Sequence, residues 1–166
     1  MKSFITLSIC LLAIVSCTQN IRTDQEIEQA FLSLDKAKLC KELETMTEND
    51  MLYRRPLDSL YKIGQAPPKK QWDSLWNLQT QLDDQNTRRL IEITEKYGFP
   101  GPKRVGKPLP IWIIFQHSDE KYCDQLIPLL ERELEAKRIT VGEYQMIQWN
   151  LDGRDSILPF KVVVKN

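Results

Sequence analysis

The sequence contains few of the residues that metal centres and many catalytic sites require. Its single histidine, His117, excludes any metal site or catalytic centre that needs two imidazoles. Its four cysteines are too few for a disulfide scaffold in a chain of 166 residues, and no pair is spaced as Cys-x-x-Cys. We therefore predict that the chain has no metal site.

The sequence also lacks an excess of charge and the glycine motifs of nucleotide-binding proteins. Lysine and arginine number 23, as do aspartate and glutamate, whereas nucleic-acid-binding modules usually carry a clear basic excess. Dinucleotide-binding glycines, a P-loop and a Gly-x-Ser-x-Gly nucleophile elbow are absent. We therefore predict no cofactor and no nucleic-acid partner. With 42% hydrophobic and 28% charged residues, the composition is typical of a folded globular domain.

The most apolar segment lies at the N-terminus and resembles the signal peptide of a bacterial lipoprotein. Lys2 precedes an apolar region, residues 4–15, that is shorter than the about 20 residues a membrane span requires. Residues 14–17 read Ile-Val-Ser-Cys, which resembles a lipobox, in which the cysteine receives a diacylglycerol. An uncleaved anchor or a plain signal peptide is the alternative. Cys10 fits less well because Ile9 precedes it and it would halve the apolar region.

This resemblance divides the chain into three parts. Residues 1–16 are a signal peptide that is removed, residues 17–23 are a tether that begins at lipidated Cys17, and residues 24–166 are a single domain. The predicted location is the bacterial cell envelope, with attachment to a membrane through Cys17. Only Cys40 and Cys123 then remain to form a disulfide, and buried free thiols are equally compatible with the sequence.

Apolar residues at helical spacing predict a mainly α-helical, bundle-like domain. Capping boxes at Thr23 and Thr140 mark the starts of the first and last helices. Gly98, followed by Pro100, is predicted to end the longest helix as a left-handed αL cap. The predicted helices span about residues 23–46, 48–63, 70–97, 119–138 and 140–150, with an extended loop at 99–110.

Two segments carry a strand pattern. Leu158, Phe160, Val162 and Val164 alternate with polar residues and predict a short C-terminal β-strand or hairpin. Residues 111–115, an uninterrupted apolar run, suit either a strand or a buried helix.

His117 is the residue best suited to act as a general base near neutral pH. Asp119 or another carboxylate would orient its ring, and nucleophilic catalysis would need Ser118, Cys40 or Cys123 within reach. A hydrogen-bonded structural histidine at the edge of the core is the alternative. The spacing of His117, Asp119 and Cys123 disfavours a zinc site.

The longest predicted helix carries two candidate ligand-binding features. Asp83, Asp84 and Asn86 could hold a cation or a polar ligand, although such a run is more often a solvated face. Trp72 and Trp76 lie one helical turn apart. Core packing is their expected role, and a ligand-stacking platform is the alternative.

Several of these residues resemble, in order and spacing, a bacterial family of unknown function whose members are often secreted or lipid-anchored. Its hallmarks are a Tyr-Gly-x-Pro turn, a Gln-His pair and an early Asp/Arg pair. The similar motifs here lie between about residues 43 and 143 and are Asp50-x-x-x-Arg54, Asp83-x-x-Asn86, Tyr97-Gly98-Phe99-Pro100, Gln116-His117 and Leu126-x-Pro128-Leu129-Leu130.

The resemblance implies that residues 111–115 form a helix and that the polar motif residues form a functional set. We assign candidate catalytic roles to His117 and Asp83. Candidate binding roles fall to Asp50, Arg54, Asn86 and Gln116. The sequence departs from the family near its end, where Trp149-Asn150 stand in place of an Asp-Arg pair. A family member without this Asp-Arg pair would lack part of the set of polar functional residues.

Two functions are therefore expected from the sequence. The first is a lipid-anchored module that binds a protein or a small molecule, and the second is an envelope hydrolase or transferase that uses His117 with nearby carboxylates. The second requires His117 to lie in a cleft, within about 4–6 Å of a carboxylate or a nucleophile.

Overall fold

The structure, a computed structural model, describes residues 22–62 and 68–153, and these residues are mainly α-helical. No β-strand occurs within these two segments, and the predicted C-terminal strand lies outside them. The helices are α1 (Asp24–Leu32), α2 (Lys36–Asp50), α3 (Arg54–Lys62), α4 (Lys69–Tyr97), α5 (Pro102–Val105), α6 (Trp112–Gln116), α7 (Cys123–Glu135) and α8 (Val141–Leu151), with a 3-10 turn at Glu120–Tyr122 before α7.

Both predicted capping boxes are present. The Thr23 side chain accepts a hydrogen bond from the backbone N–H of Glu26, and the Glu26 carboxylate accepts one from the backbone N–H of Thr23. Thr140 and Glu143 make the same reciprocal pair at the start of α8. Each box satisfies backbone N–H groups that have no partner within the first helical turn.

The prediction of one helix over residues 23–46 is wrong, because the chain breaks between α1 and α2. α1 ends at Leu32, and the Ser33 hydroxyl donates a hydrogen bond to the carbonyl of Ala30. Asp35 then begins α2, accepting a hydrogen bond from the backbone N–H of Lys38. Asp35 is thus a second N-cap in a segment whose apolar spacing continues across the break.

The helix α4 runs for 29 residues and ends at Gly98, as the sequence predicts. Gly98 has φ +73° and ψ 163°, so φ is positive as predicted, but the residue does not adopt the αL conformation. The loop predicted at residues 99–110 contains the short helix α5, which closes at Gly106 in the αL conformation. Pro102 is the first residue of α5. A backbone N–H at this position has no hydrogen-bond partner within the helix, so proline fits there without the loss of a helical hydrogen bond.

The apolar run at residues 111–115 lies within and just before α6, so the helix implied by the family resemblance is confirmed there. α6 packs against α2, α4 and α8, and this contact forms the centre of the hydrophobic core. The fully buried side chains of the core include Leu43 of α2, Leu90 of α4, Phe115 of α6, Leu126 of α7 and Ile147 of α8.

A buried ion cluster lies at the C-terminal end of α4, away from the N-terminal half of that helix. The Glu133 carboxylate is fully buried and pairs with Arg138 and Arg132. It also accepts a hydrogen bond of 2.7 Å from the backbone N–H of Phe99. This cluster fixes the chain where it leaves α4.

Both cysteines of the described residues, Cys40 and Cys123, are free thiols. Cys40 Sγ donates to the carbonyl of Val105, and Cys123 Sγ to that of Leu151. Within residues 22–62 and 68–153, no helix combines the length and the apolar composition needed to cross a membrane.

Candidate functional site

Four of the six predicted polar residues meet in one network. Arg54 forms two parallel hydrogen bonds with the Asp83 carboxylate, of 2.9 Å to Oδ1 and 2.6 Å to Oδ2. Arg54 Nη1 also donates to Asp50 Oδ1 at 3.1 Å. The same Asp50 oxygen lies 2.8 Å from His117 Nδ1. The network therefore runs from His117 through Asp50 and Arg54 to Asp83.

The secondary structure explains why these residues meet. Asp50 is the last residue of α2 and Arg54 the first of α3, so the turn between the two helices brings them together. Asp83 lies in the middle of α4, and His117 caps the C-terminus of α6. Because α4 contacts α2, α3 and α6, residues that are distant in sequence become neighbours.

Gln79 belongs to the same network, although no functional role is predicted for it from the sequence. It is buried, donates to Asp83 Oδ1 at 2.8 Å, and accepts a hydrogen bond from the backbone N–H of Tyr53 at 2.9 Å. Gln79 therefore fixes the carboxylate of Asp83 and the turn before α3 together. One feature of the sequence could have indicated its burial: Gln79 is a polar residue at a position where the helical spacing of α4 predicts an apolar one.

The other two predicted binding residues lie apart from this network. Asn86 is buried and donates to the carbonyl of Met46 at 3.2 Å, which joins α4 to α2. Gln116 is the last residue of α6 and does not line the cleft that opens beside the network.

A cleft of about 500 Å³ opens beside the network. Arg54, Asp83 and His117 line it, together with Trp72 and Trp76 of α4. Trp76 is 49% exposed, and neither tryptophan belongs to the buried core, so the expectation of core packing is wrong for this pair. Both aromatic rings are available to a molecule in the cleft.

Asp84, also on α4, lines the cleft and is held by residues of the segment before α7. Its carboxylate pairs with Lys121 at 2.5 Å and accepts a hydrogen bond from the Tyr122 hydroxyl at 2.7 Å. These two partners hold the pKa of Asp84 below its ordinary value. Burial, reinforced by the hydrogen bond to Asp84, raises the pKa of Tyr122 to about 12. Asp84 is therefore ionised at neutral pH and the tyrosine is not.

His117 lies at the edge of the cleft, with its side chain 23% exposed. Because an ionised carboxylate only accepts hydrogen bonds, Nδ1 carries the proton of the contact with Asp50. In the neutral ring, Nε2 then holds a lone pair, and no described residue hydrogen bonds to it. This arrangement gives the ring a fixed orientation and tautomer.

The side chains expected as nucleophiles do not contact His117. The Ser118 hydroxyl donates to the carbonyl of Phe115 at 2.7 Å, and the two thiols bond to carbonyl groups elsewhere. Asp119 caps the 3-10 turn, so Asp50, not Asp119, orients the imidazole. Among the described residues, no group of three or more His, Cys, Asp or Glu side chains is arranged to hold a metal ion.

Neither a protein-family model, nor a curated protein, nor a solved structure matches this chain. The resemblance to the family of unknown function therefore stays a prediction.

Proposed function

We propose that this chain is a lipid-anchored protein of the bacterial cell envelope that binds a small polar ligand in the cleft beside Arg54, Asp83 and His117. The anchor is proposed from the lipobox-like residues 14–17 and lipidation at Cys17. The binding function is proposed from the cleft. The observation that carries it is an open cleft lined both by a half-exposed tryptophan and by a fixed polar network.

The size and the lining of the cleft support this proposal. Its volume of about 500 Å³ lies within the roughly 300–1,000 Å³ typical of small-molecule sites. Both apolar side chains (Leu57, Trp72 and Trp76) and polar ones line it. A site of this composition supplies contact area from the rings and orientation from the polar groups.

The network supports it because the polar groups are already in place. Arg54 is held by two carboxylates, and Asp83 is held by both Arg54 and Gln79. A ligand that binds against such a wall does not have to order these side chains, so binding loses less conformational entropy.

Titration with small probes tests the binding function. We expect at least one of cadaverine, pentanediol (hydroxyls at both ends), glutarate and cellobiose to bind saturably, as measured by calorimetry. Trp76→Ala should weaken that binding, whereas Asp73→Asn, which changes an exposed carboxylate of α4 outside the cleft, should leave it unchanged. If none of the four probes gives a saturable signal, the cleft is not a binding site for this class of molecule.

A hydrolytic activity is the second candidate, because the contact between His117 and Asp50 is that of an oriented general base. In this reaction Nε2 accepts a proton from a water molecule while the water oxygen attacks an ester or amide carbonyl. The proton then passes from the imidazolium to the leaving alcohol or amine. Asp50 does not touch the substrate in this scheme and is a positioning residue.

Hydrolysis of para-nitrophenyl acetate and of alanine para-nitroanilide tests this second candidate. Because His117 is the only histidine, His117→Gln removes every imidazole from the chain. We expect it to lower a saturable hydrolysis rate by about 10²- to 10⁴-fold. Asp50→Asn should change the pH profile of that rate. Equal rates in the wild type and His117→Gln would exclude general-base catalysis of these reactions.

A further inference from the structure

The positive charges that line the cleft are already compensated by carboxylates. Arg54 is paired with Asp50 and Asp83, and its side chain is only 14% exposed. Lys121 is paired with Asp84. An anionic ligand would therefore meet each of these cations beside a carboxylate that already offsets its charge.

Two carboxylates of the cleft remain without a cation. Asp58, on the exposed face of α3, has no ion-pair or hydrogen-bond partner among the described residues. Asp119 accepts only the backbone N–H of Lys121, through Oδ1. Four aspartates (Asp58, Asp83, Asp84 and Asp119) line the cleft with one arginine and one lysine, so its carboxylates outnumber these two cations.

The aromatic wall favours the same sign of charge in a ligand. The faces of tryptophan rings attract cations, and tryptophan does so more strongly than tyrosine or phenylalanine. Trp72 and Trp76 both line the cleft and lie one turn apart on α4. A cation on an apolar stem would therefore meet rings along the stem and a carboxylate at its charged end.

From these contacts we infer that the cleft binds an organic cation, an ammonium or guanidinium group carried on an alkyl stem, between the tryptophan wall and the uncompensated carboxylates of Asp58 and Asp119. This inference rests on the proposed binding function and names the class of its ligand. The N–H groups of such a cation would form charge-assisted hydrogen bonds to the carboxylates.

Probes of equal length and different charge test the inference. Cadaverine, pentanediol and glutarate share a five-carbon chain and carry two positive charges, none and two negative charges at neutral pH. We expect cadaverine to bind at least about 10-fold more tightly than pentanediol by calorimetry, as a charge-assisted hydrogen bond implies. Glutarate should not bind. Added salt should weaken the binding of cadaverine, since Asp58 and Asp119 are exposed.

Variants of the cleft provide the second arm. Asp58→Asn combined with Asp119→Asn should remove most of the preference for cadaverine over pentanediol. Trp76→Ala should lower the affinity for cadaverine by about 2- to 5-fold, which corresponds to the free energy of an exposed cation–π contact. Asp73→Asn is the matched control, because it removes an exposed carboxylate of α4 that does not line the cleft. Circular dichroism of each variant checks that it is folded.

The outcomes separate this inference from the proposed function. If cellobiose or pentanediol binds as tightly as cadaverine, the cationic ligand is excluded and the binding function stands. If cadaverine binds but the Asp58→Asn, Asp119→Asn variant binds it equally well, the inference is also overturned. If no probe binds, both proposals fail.

Discussion

Asp84 accepts hydrogen bonds from Lys121 and Tyr122 and also pairs with Arg88 at 2.8 Å. These contacts are made by the ionised carboxylate, and they hold its pKa below the ordinary value of 3.8. A group whose pKa is lower in the folded state stabilises the fold above its unfolded pKa. That contribution is lost as the pH falls through the folded pKa.

We therefore expect Asp84→Asn to lower the melting temperature at neutral pH and to have little effect in acid. The difference from the wild type should be constant between about pH 5 and 8 and should shrink below about pH 4. Thermal unfolding followed by circular dichroism across this range measures it.

Asp73→Asn is the control for this experiment. Asp73 pairs with Lys69 on the surface, where an ion pair contributes little to stability. A melting-temperature difference for Asp84→Asn that persists undiminished at pH 3 would show that the charge of Asp84 is not what stabilises the fold.

The contacts of individual site residues were the most difficult feature of the site to predict from the sequence. The pairing of Asp50 with Arg54 was expected only from the resemblance to the family of unknown function, which has an Asp/Arg pair early in its sequence, and the structure forms this ion pair. Gln79 gave only a weak signal, since nothing local shows that its amide reaches the turn before α3. Its role depends on a tertiary contact.

At the scale of helices, the end of α4 is fixed by Gly98. Its φ of +73° and ψ of 163° lie in a region that essentially only glycine occupies. A Cβ atom there would lie 2.7 Å from Cδ and Nε of Arg138, whose guanidinium is held by the buried Glu133. Both backbone conformation and space therefore require glycine.

Gly98→Ala should destabilise the fold by about 1–3 kcal/mol from the backbone conformation alone, and the contact with Arg138 should add to this. Gly106→Ala is the matched control: Gly106 also has a positive φ, but its conformation is αL and no atom lies within 4 Å of an added Cβ. Urea unfolding should show a clearly smaller loss for Gly106→Ala. Equal losses would show that neither the backbone conformation of Gly98 nor its closeness to Arg138 requires glycine more strongly than the αL conformation of Gly106 does.

The helices were easier to predict than their breaks. Capping boxes at Thr23 and Thr140 are local patterns, and the structure forms them as predicted. The break at Asp35 has no proline or glycine, and the apolar stripe passes through it unchanged. Residues 111–115 were ambiguous because a continuous apolar run lacks a period, and their burial at the centre of the helical core resolves them as helix.

At the scale of the whole molecule, Arg22 and the cleft lie near opposite ends of α4. Arg22, the first described residue, has Nη1 3.5 Å from the carbonyl oxygen of Lys96, near the C-terminal end of α4. Trp76, on the cleft, lies near the N-terminal end. Residues 17–21, which precede Arg22, lie outside the described residues.

Replacing Cys17 by serine in the full precursor should move the protein from the membrane fraction of a bacterial host to the soluble fraction. It should also abolish incorporation of labelled palmitate, because the thioether to diacylglycerol cannot form. Cys10→Ser is the matched control and should leave both unchanged. Membrane retention of the Cys17→Ser variant would contradict the proposed anchor.

The length of α4 sets the distance between Arg22 and the cleft. The 20 residues between Trp76 and Lys96 span about 30 Å at 1.5 Å per residue. This distance is similar to the roughly 30 Å hydrocarbon thickness of a bilayer. The proposed tether joins the described residues at Arg22, so a rigid length of helix separates that junction from the cleft. A ligand in the cleft would therefore not contact the residue at which the proposed tether joins the fold.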